Sequence, residues 1–318
     1  MLKIDAGNAK LRQIPVEEID RNPENPRIFF RQSELDTLQE SIRQHGIQVP
    51  ISVFQKGNQY ILIDGERRWR CALKLNLKTI PALVQPEPDA LTNVLLMFNI
   101  HALREQWDLL TIAMKLPSVL SLLAEELGKS PTEAEISNRT GLNRSVIRRC
   151  KLLIELPAKY REMLSAELKK PKTQQILSED FFIEMERSLR TIERVLPGFL
   201  KNKNECRDIL ISKYKSETIK DLIDLRYLPK IAKAEQVGVS RSKAVRALEK
   251  LFSDNNYSLE MAFEDTVADA YSEKTLVSKI WAVCERLDEL TPTTIDEELS
   301  KALTTLRKQI RVLLGRAQ

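Results

Sequence analysis

Between Ile63 and Leu75 the chain reads IDGERRWRCALKL, and its chemistry is concentrated in Gly65, Glu66, Arg67, Arg68 and Arg70. An apolar run ending at Asp64 predicts a strand, Gly65 a tight turn, and the residues from Glu66 onward an amphipathic helix. Such a helix opens with backbone N–H groups that lack partners inside the helix. That end carries a partial positive charge and suits an anion. Arginines in a first turn oppose this charge. Arg67, Arg68 and Arg70 make physical sense there if a polyanion, such as a triphosphate, sits in front of them. The competing reading is a solvated basic face with Glu66 paired internally. Trp69 and Leu73, one turn apart, are expected in the core rather than as a base-stacking platform.

A second chemical pattern lies in SPTEAEISNRTGLNRSVIRRCKLLIELP, Ser130 to Pro157. It reads as a short helix, a turn at Gly141 and a second helix from about Arg144. Val146, Ile147, Cys150, Leu153 and Ile154 fall on one face. Asn143 leads into the other face, formed by Arg144, Ser145, Arg148, Arg149 and Lys151. Four basic residues and no acidic one from Arg144 to Lys151 is the footprint of a helix entering a DNA major groove. An ordinary amphipathic helix with a solvated face is the alternative. A related pattern recurs in Tyr227–Phe252, where GVSRS resembles the earlier GLNRS, Ala234 precedes Gly238 by four residues, and Arg241, Lys243 and Arg246 follow. It reads as a second helix-turn-helix or as a packed helical pair, with Ala244 standing where a larger core residue is usual.

The elements that must position these residues follow from composition and periodicity. The 318 residues carry a net charge of +5 and 42% hydrophobic residues, enough for two or three packed domains. The basic balance permits an anionic partner without demanding one. Four dispersed cysteines (Cys71, Cys150, Cys206, Cys284) and two histidines argue against a zinc site and for reduced thiols. Met1–Lys10 has no apolar signal region, and the richest apolar stretch, Leu109–Ala124, is broken by Lys115 and Pro117, so a soluble, cytoplasmic protein with no membrane partner is expected. The predicted fold class is α+β. Ser33 is expected to cap a helix bearing Leu35, Leu38 and Ile42 that ends at Gly46; Val49–Phe54 and Gln59–Asp64 form a hairpin across Lys56-Gly57-Asn58; Thr79–Val84 is a further strand. Beyond Asp89 the chain reads as all helix. The expected division is 1–90, 91–165, 166–270 and 271–318. In the last part Leu276, Ile280, Val283, Leu287 and Leu290, then Leu299, Leu303, Leu306, Ile310 and Leu313, follow heptad spacing. Thr294 and Glu297 form a capping box between them, and the two helices are expected to pair with a second copy or dock on the body.

The motifs also carry a resemblance. GERRWRCA (Gly65–Ala72) resembles the GERRxRAA signature of the ParB family of chromosome and plasmid partition proteins. NPRIFF (Asn25–Phe30) is similar to that family's NPR box, and LQESIRQHGIQVPISV (Leu38–Val53) to its LxxSIxxxGIxQPIxV box. The resemblance implies a small ParB/sulfiredoxin-like N-terminal domain, followed by an all-helical helix-turn-helix and a helical C-terminal region. It also implies CTP binding, with Gly65, Glu66, Arg67, Arg68 and Arg70 at the phosphates and Gly46, Gln48 and Pro50 in the facing loop. The family's third box, ENxxR, corresponds to MFNIHALREQWDLL (Met97–Leu110). Asn99 keeps the asparagine, Arg104 arrives two residues late, and Phe98 stands where a Mg2+-binding glutamate is expected. Glu105 is the substitute from the next turn; without a carboxylate, hydrolysis is expected to be very slow. In sulfiredoxin, which shares the fold, a nucleophilic cysteine occupies the position of Glu66, whereas Cys71 here reads as a small buried residue. The implied function is site-specific binding of a centromere-like palindrome in double-stranded DNA, gated by CTP that closes a homodimer, in a protein associated with nucleoid or plasmid. A separate chain would supply any partition ATPase, since no GxxxxGK[ST] motif is present. Two other classes compete: a nuclease or phosphotransferase on the same fold, against which the lack of a carboxylate–histidine cluster counts, and a plain transcriptional repressor without nucleotide function, against which the arginines of the GERR turn count.

Overall fold

In the computed structural model the described residues are 10–25, 32–98, 108–290 and 296–315. Contacts divide the chain into two compact units, Met1–Arg187 and Ser188–Gln318.

The first unit opens with a mixed sheet. β1 (Lys10–Pro15) and β2 (Ile19–Asp20) precede the hairpin of β3 (Ile51–Lys56) and β4 (Gln59–Asp64), and β5 (Thr79–Gln85) completes the order β1-β5-β3-β4-β2. β3 pairs antiparallel with β4 and parallel with β5, while β1 lies antiparallel on β5. The hairpin turns on Gly57-Asn58, where Gly57 has a φ of 61°. Alternation explains the packing: Ile51 and Val53 of β3 and Ile80 and Ala82 of β5 are buried with Ile14, Val16, Ile19 and Leu62.

Two helices cover this part. α1 spans Gln32–His45 and α2 spans Glu66–Lys74. α2 has two apolar neighbours: Ala72 joins the sheet core, and the adjacent Cys71 joins Leu35 and Ile42 of α1. Two expectations need correction. α1 is described from Gln32, so the backbone of Ser33 is already helical. Leu73 is exposed, because the sheet and α1 already take up the two apolar faces of so short a helix, while Trp69 is half-buried against the sheet.

The rest of the unit is helical: α3 (Ala90–Met97), α4 (Leu109–Leu127), α5 (Glu133–Thr140), α6 (Arg144–Ile154) and α7 (Ala158–Lys169). Asp89 and Asp108 cap α3 and α4 by accepting the N–H of Thr92 and Thr111 at 2.8 and 2.7 Å. Thr132 and Glu135 form the reciprocal capping box of α5.

The unit boundary falls within α8 (Glu179–Val195), and α9 (Lys203–Lys215), α10 (Tyr227–Ala232), α11 (Arg241–Ser253), α12 (Leu259–Glu264), α13 (Ala268–Asp288) and α14 (Glu297–Leu314) follow. Leu210, Leu228, Ile231, Leu248 and Leu251 are buried here. Lys213 of α9, itself buried, donates from Nζ to the carbonyls of Asp254, Asn255 and Tyr257 at 2.6, 3.1 and 2.8 Å. A cation thus closes the C-terminal end of α11, where helix carbonyls run out of partners. α13 and α14 are different. Neither contributes a buried residue, so the heptad rows read from sequence do not dock on the body. The cap of α14 is Asp296, whose Oδ1 accepts the N–H of Leu299 at 2.7 Å, rather than Thr294, which lies outside the described residues. Among the described residues no helix is long and apolar enough to cross a membrane.

Candidate nucleotide and nucleic-acid sites

The end of β4 passes into α2 through Gly65, at φ 98° and ψ 22°. A Cβ here would stand 2.5 Å from Cγ2 of Ile51, so both the left-handed backbone and the close approach of β3 require glycine. Gly65, the N-cap residue, has no side chain with which to cap α2. The first amides of α2 therefore keep the character of an anion-binding helix N-terminus.

Around this turn the arginines are tied down by the protein itself. Glu66 is buried at 5% exposure. Its Oε1 forms an ion pair with Nε of Arg21 at 2.7 Å and accepts from Nε and Nη2 of Arg70 at 2.9 and 2.7 Å. Its Oε2 accepts from Nδ2 of Asn25 at 2.7 Å. Arg68 reaches in the other direction: Nη1 donates to the carbonyls of Val49 and Pro50 at 2.6 and 2.7 Å, and Nη2 pairs with Asp64 at 3.2 Å. Arg68 thereby fixes the loop that carries Gly46, Gln48 and Pro50 against the start of α2. Gly46, at φ 69°, ends α1, and Nε2 of Gln48 donates to the carbonyl of His45. Arg67 is half-buried on the same turn.

Sequence reasoning missed Arg21, Asn22 and Lys115. Arg21 lies 45 positions before Glu66, and Asn22 and Lys115 hold the same approach segment. Asn22 exchanges hydrogen bonds with Asn93 of α3 at 2.8 and 3.3 Å. Lys115 of α4 donates to the carbonyl of Pro23 at 3.1 Å and pairs with Glu24 at 3.2 Å. The available signal was the i,i+4 spacing of Glu66 and Arg70; the remaining partners are long-range.

Phe98 is buried at 1% exposure at the end of α3, so this position serves packing and offers no ligand. Asn99, Arg104 and Glu105 lie outside the described residues. Among the described residues no group of three His, Cys, Asp or Glu side chains is placed to hold a metal ion. The N-terminus of α2 at Gly65 has the chemistry to take a phosphate. Thiol chemistry finds no support: burial pushes the Cys71 thiol up, and Cys150 up to about 12.

The second candidate site is the α5–α6 pair. Gly141 ends α5 at φ 75°, and Asn143 precedes α6 in extended backbone. Ile147, Cys150, Leu152 and Leu153 are buried; Val146 and Ile154, expected in the apolar face, sit at its edges. Asn143, Arg144, Ser145 and Arg148 are exposed. Other elements bring acids to the basic face. Glu133 of α5 pairs with Arg148 at 2.8 Å and lies 3.9 Å from Lys151, and Asp180 of α8 pairs with Arg149. Arg144 makes no ion pair among the described residues.

Residues 3–100 match the family model of the ParB N-terminal domain, the class that the sheet, α1 and the Gly65 turn define. Among curated proteins, a probable chromosome-partitioning protein ParB of Pseudomonas putida is 36% identical over 166 residues, 52% of this chain and 54% of that protein. A nucleoid occlusion protein of Geobacillus kaustophilus is 34% identical over 157 residues, 49% and 53% of the two chains. A crystal structure of C-terminally truncated ParB from Caulobacter crescentus complexed with CTP-γ-S is 26% identical, covering 56% of this chain and 92% of that one, with a TM-score of 0.29. Residues 3–100 thus carry a ParB N-terminal domain, and about half of the chain is similar to ParB proteins. It spans about half the length of the curated relatives it matches.

One carboxylate near the second site titrates away from its ordinary range. Glu179, at the start of α8, accepts the N–H of Leu110 at 2.6 Å. Burial pushes its carboxyl up to about 7 and Asp108 and Asp180 add to this, while the Leu110 N–H and Arg149 act the other way. Between its ordinary 4.5 and about 7 the folded chain holds a proton that the unfolded chain has released. The stability gained is therefore complete below that window and lost as pH rises through it. Over about pH 5 to 8 the thermal midpoint of wild type is expected to fall relative to that of Glu179→Gln. Parallel curves for the two would show an ordinary carboxylate.

Proposed function

We propose that this chain is a site-specific DNA-binding partition protein whose N-terminal domain, 1–90, binds CTP and whose helix-turn-helix domain, 91–165, reads duplex DNA. The observation that supports the nucleotide reading is the N-terminus of α2 behind Gly65, which has no side chain to cap it, with Arg68 pinning the facing loop to it. In this reading the phosphates take the first amides of α2 and Arg67. Arg68 and Arg70 act mainly by holding Val49, Pro50 and Glu66 in place. Asn99 and Arg104 belong to the same site by family resemblance, as does Mg2+. CTP would supply the polyanion that these groups face. The partition role is supported by the chromosome-partitioning relative, and with it go a centromere-like palindrome, a separate partition ATPase and a place on nucleoid or plasmid in the cytoplasm.

Calorimetry with CTP tests the nucleotide site. Arg67→Ala is expected to weaken binding at least about tenfold, the scale of one charge-assisted contact. Arg68→Ala is expected to lose both binding and stability, because two backbone carbonyls and Asp64 lose their donor. CTP affinity of Arg67→Ala equal to wild type would overturn the phosphate assignment. With Phe98 in place of a carboxylate, phosphate release with Mg2+ and DNA should stay near background.

For DNA, Arg144→Ala is expected to cost about 1–3 kcal/mol of site-specific affinity. Arg148→Ala should cost less, since Arg148 must give up Glu133 to reach a base. Equal affinities for wild type and Arg144→Ala would remove α6 from the groove.

The exposed rows of α13 and α14 supply the homodimer in this reading. Leu276 is 59% exposed and Leu313 68%, at the heptad spacing that a second copy would cover. Sedimentation of a Leu303→Asp, Leu306→Asp chain should give monomer, because each carboxylate would be desolvated in the seam. A persistent dimer would place association elsewhere.

A further inference from the structure

The second unit contains a turn whose backbone repeats that of the α5–α6 pair. In the first, Gly141 lies at φ 75°, and Asn143, the residue before α6, at φ −62° and ψ 144°. In the second, Gly238 lies at φ 78°, and Ser240, the residue before α11, at φ −62° and ψ 141°. Each helix then starts Arg-Ser: Arg144-Ser145 and Arg241-Ser242. The buried positions also coincide. Ile147 and Cys150 follow their glycine by six and nine residues, and so do Ala244 and Ala247. Ala234, four residues before Gly238, is fully buried beneath the turn, where a larger side chain would hold the helices apart. Ala244 thus takes the position of the usual larger core residue, and the remaining apolar contact passes to Leu248 and Leu251.

Charge gives an independent reason to assign a ligand. No acidic residue occurs from Gln236 to Leu248. Arg241, Ser242, Lys243 and Arg246 are exposed, and none of these three cations makes an ion pair among the described residues. Their hydrogen bonds are to backbone: Lys243 Nζ to the carbonyl of Thr266 at 3.4 Å, and Arg246 Nε to the carbonyl of Ser242 at 3.3 Å. On α6, by contrast, Glu133 and Asp180 already engage Arg148 and Arg149. A solvated face of a folded domain ordinarily mixes both signs. Three unpaired cations on the exposed side of a helix that starts at a helix-turn-helix turn instead match a polyanion with regularly spaced charges.

We propose that α11 is a second DNA-contacting helix, with Arg241, Lys243 and Arg246 bound to duplex phosphates and groove edges. Duplex DNA is favoured over single-stranded nucleic acid because the exposed face of α11 from Arg241 to Arg246 carries no aromatic side chain on which unpaired bases would stack. The assignment stands apart from that of α6, since it uses other residues in the other compact unit.

The test uses the full chain and a duplex of random sequence, with affinity measured across a salt series. Four proteins are compared: wild type, Arg144→Ala with Arg149→Ala, the triple variant Arg241→Ala/Lys243→Ala/Arg246→Ala, and all five substitutions together. The triple variant is expected to lose roughly tenfold or more in affinity, with the slope of log affinity against log salt shallower by about 2 to 3, the amount for three phosphate contacts. The combined variant should fall below either parent. Alanine favours helix over arginine and lysine, so circular dichroism should match wild type, and a charge-keeping Arg241→Lys/Arg246→Lys chain should retain the slope. A triple variant with wild-type affinity and slope would overturn the proposal, whatever α6 does. Equal losses on single-stranded and duplex DNA would overturn the duplex assignment.

Discussion

The arrangement at the GERR turn depends on one buried carboxylate. Glu66 sits almost out of solvent at the first position of α2, and an ion so placed is tolerated only with its oxygens fully engaged. Arg21 comes from the segment after β2, Asn25 from the start of the NPR box, and Arg70 from one turn further along α2. Satisfying Glu66 therefore fixes three stretches of chain at once. The same approach segment is held from outside by Asn93 of α3 and Lys115 of α4. The turn is an assembled structure rather than a bare strand–helix junction.

Arginine does two kinds of work in this chain. Around Glu66 and beneath the loop at Val49 it is a fastener whose planar fork matches two acceptors at once. On α6 Arg148, Arg149 and Lys151 are partly countered by Glu133 and Asp180, contacts they must give up to engage another anion. Arg144 and Arg241, Lys243 and Arg246 of α11 have no such counter-ions among the described residues. The difference lies in which neighbours tertiary folding brings alongside, not in the sequence of the helices.

That distinction also marks how far the sequence is legible. The hairpin, the glycine-headed α2 and the turn at Gly141 are local patterns, each carried by a handful of adjacent residues, and they appear where periodicity and turn chemistry put them. β1 escaped notice because KLRQIP faces solvent over most of its length and pairs along one edge only. The partners of Glu66 and of Arg148 and Arg149 were illegible for another reason: Asn25 is 41 positions from Glu66 and Asp180 is 31 from Arg149. No local rule connects such pairs. The heptad rows were plain in the sequence, yet a repeat specifies that a face must be covered and leaves open by what.

The bare faces of α13 and α14 have a consequence for how this part of the molecule behaves. Helices of about 20 residues standing alone in water lie close to the balance between helix and coil, because packing ordinarily supplies most of their stability. With Leu276, Ile280 and Trp281 all more than half exposed, little but their own hydrogen bonds holds α13 in shape. Whatever covers that row contributes to the helix by mass action. With a second copy in that place, as proposed, the helical content of the C-terminal region would vary with protein concentration, and circular dichroism recorded on dilution would read out occupancy of the row.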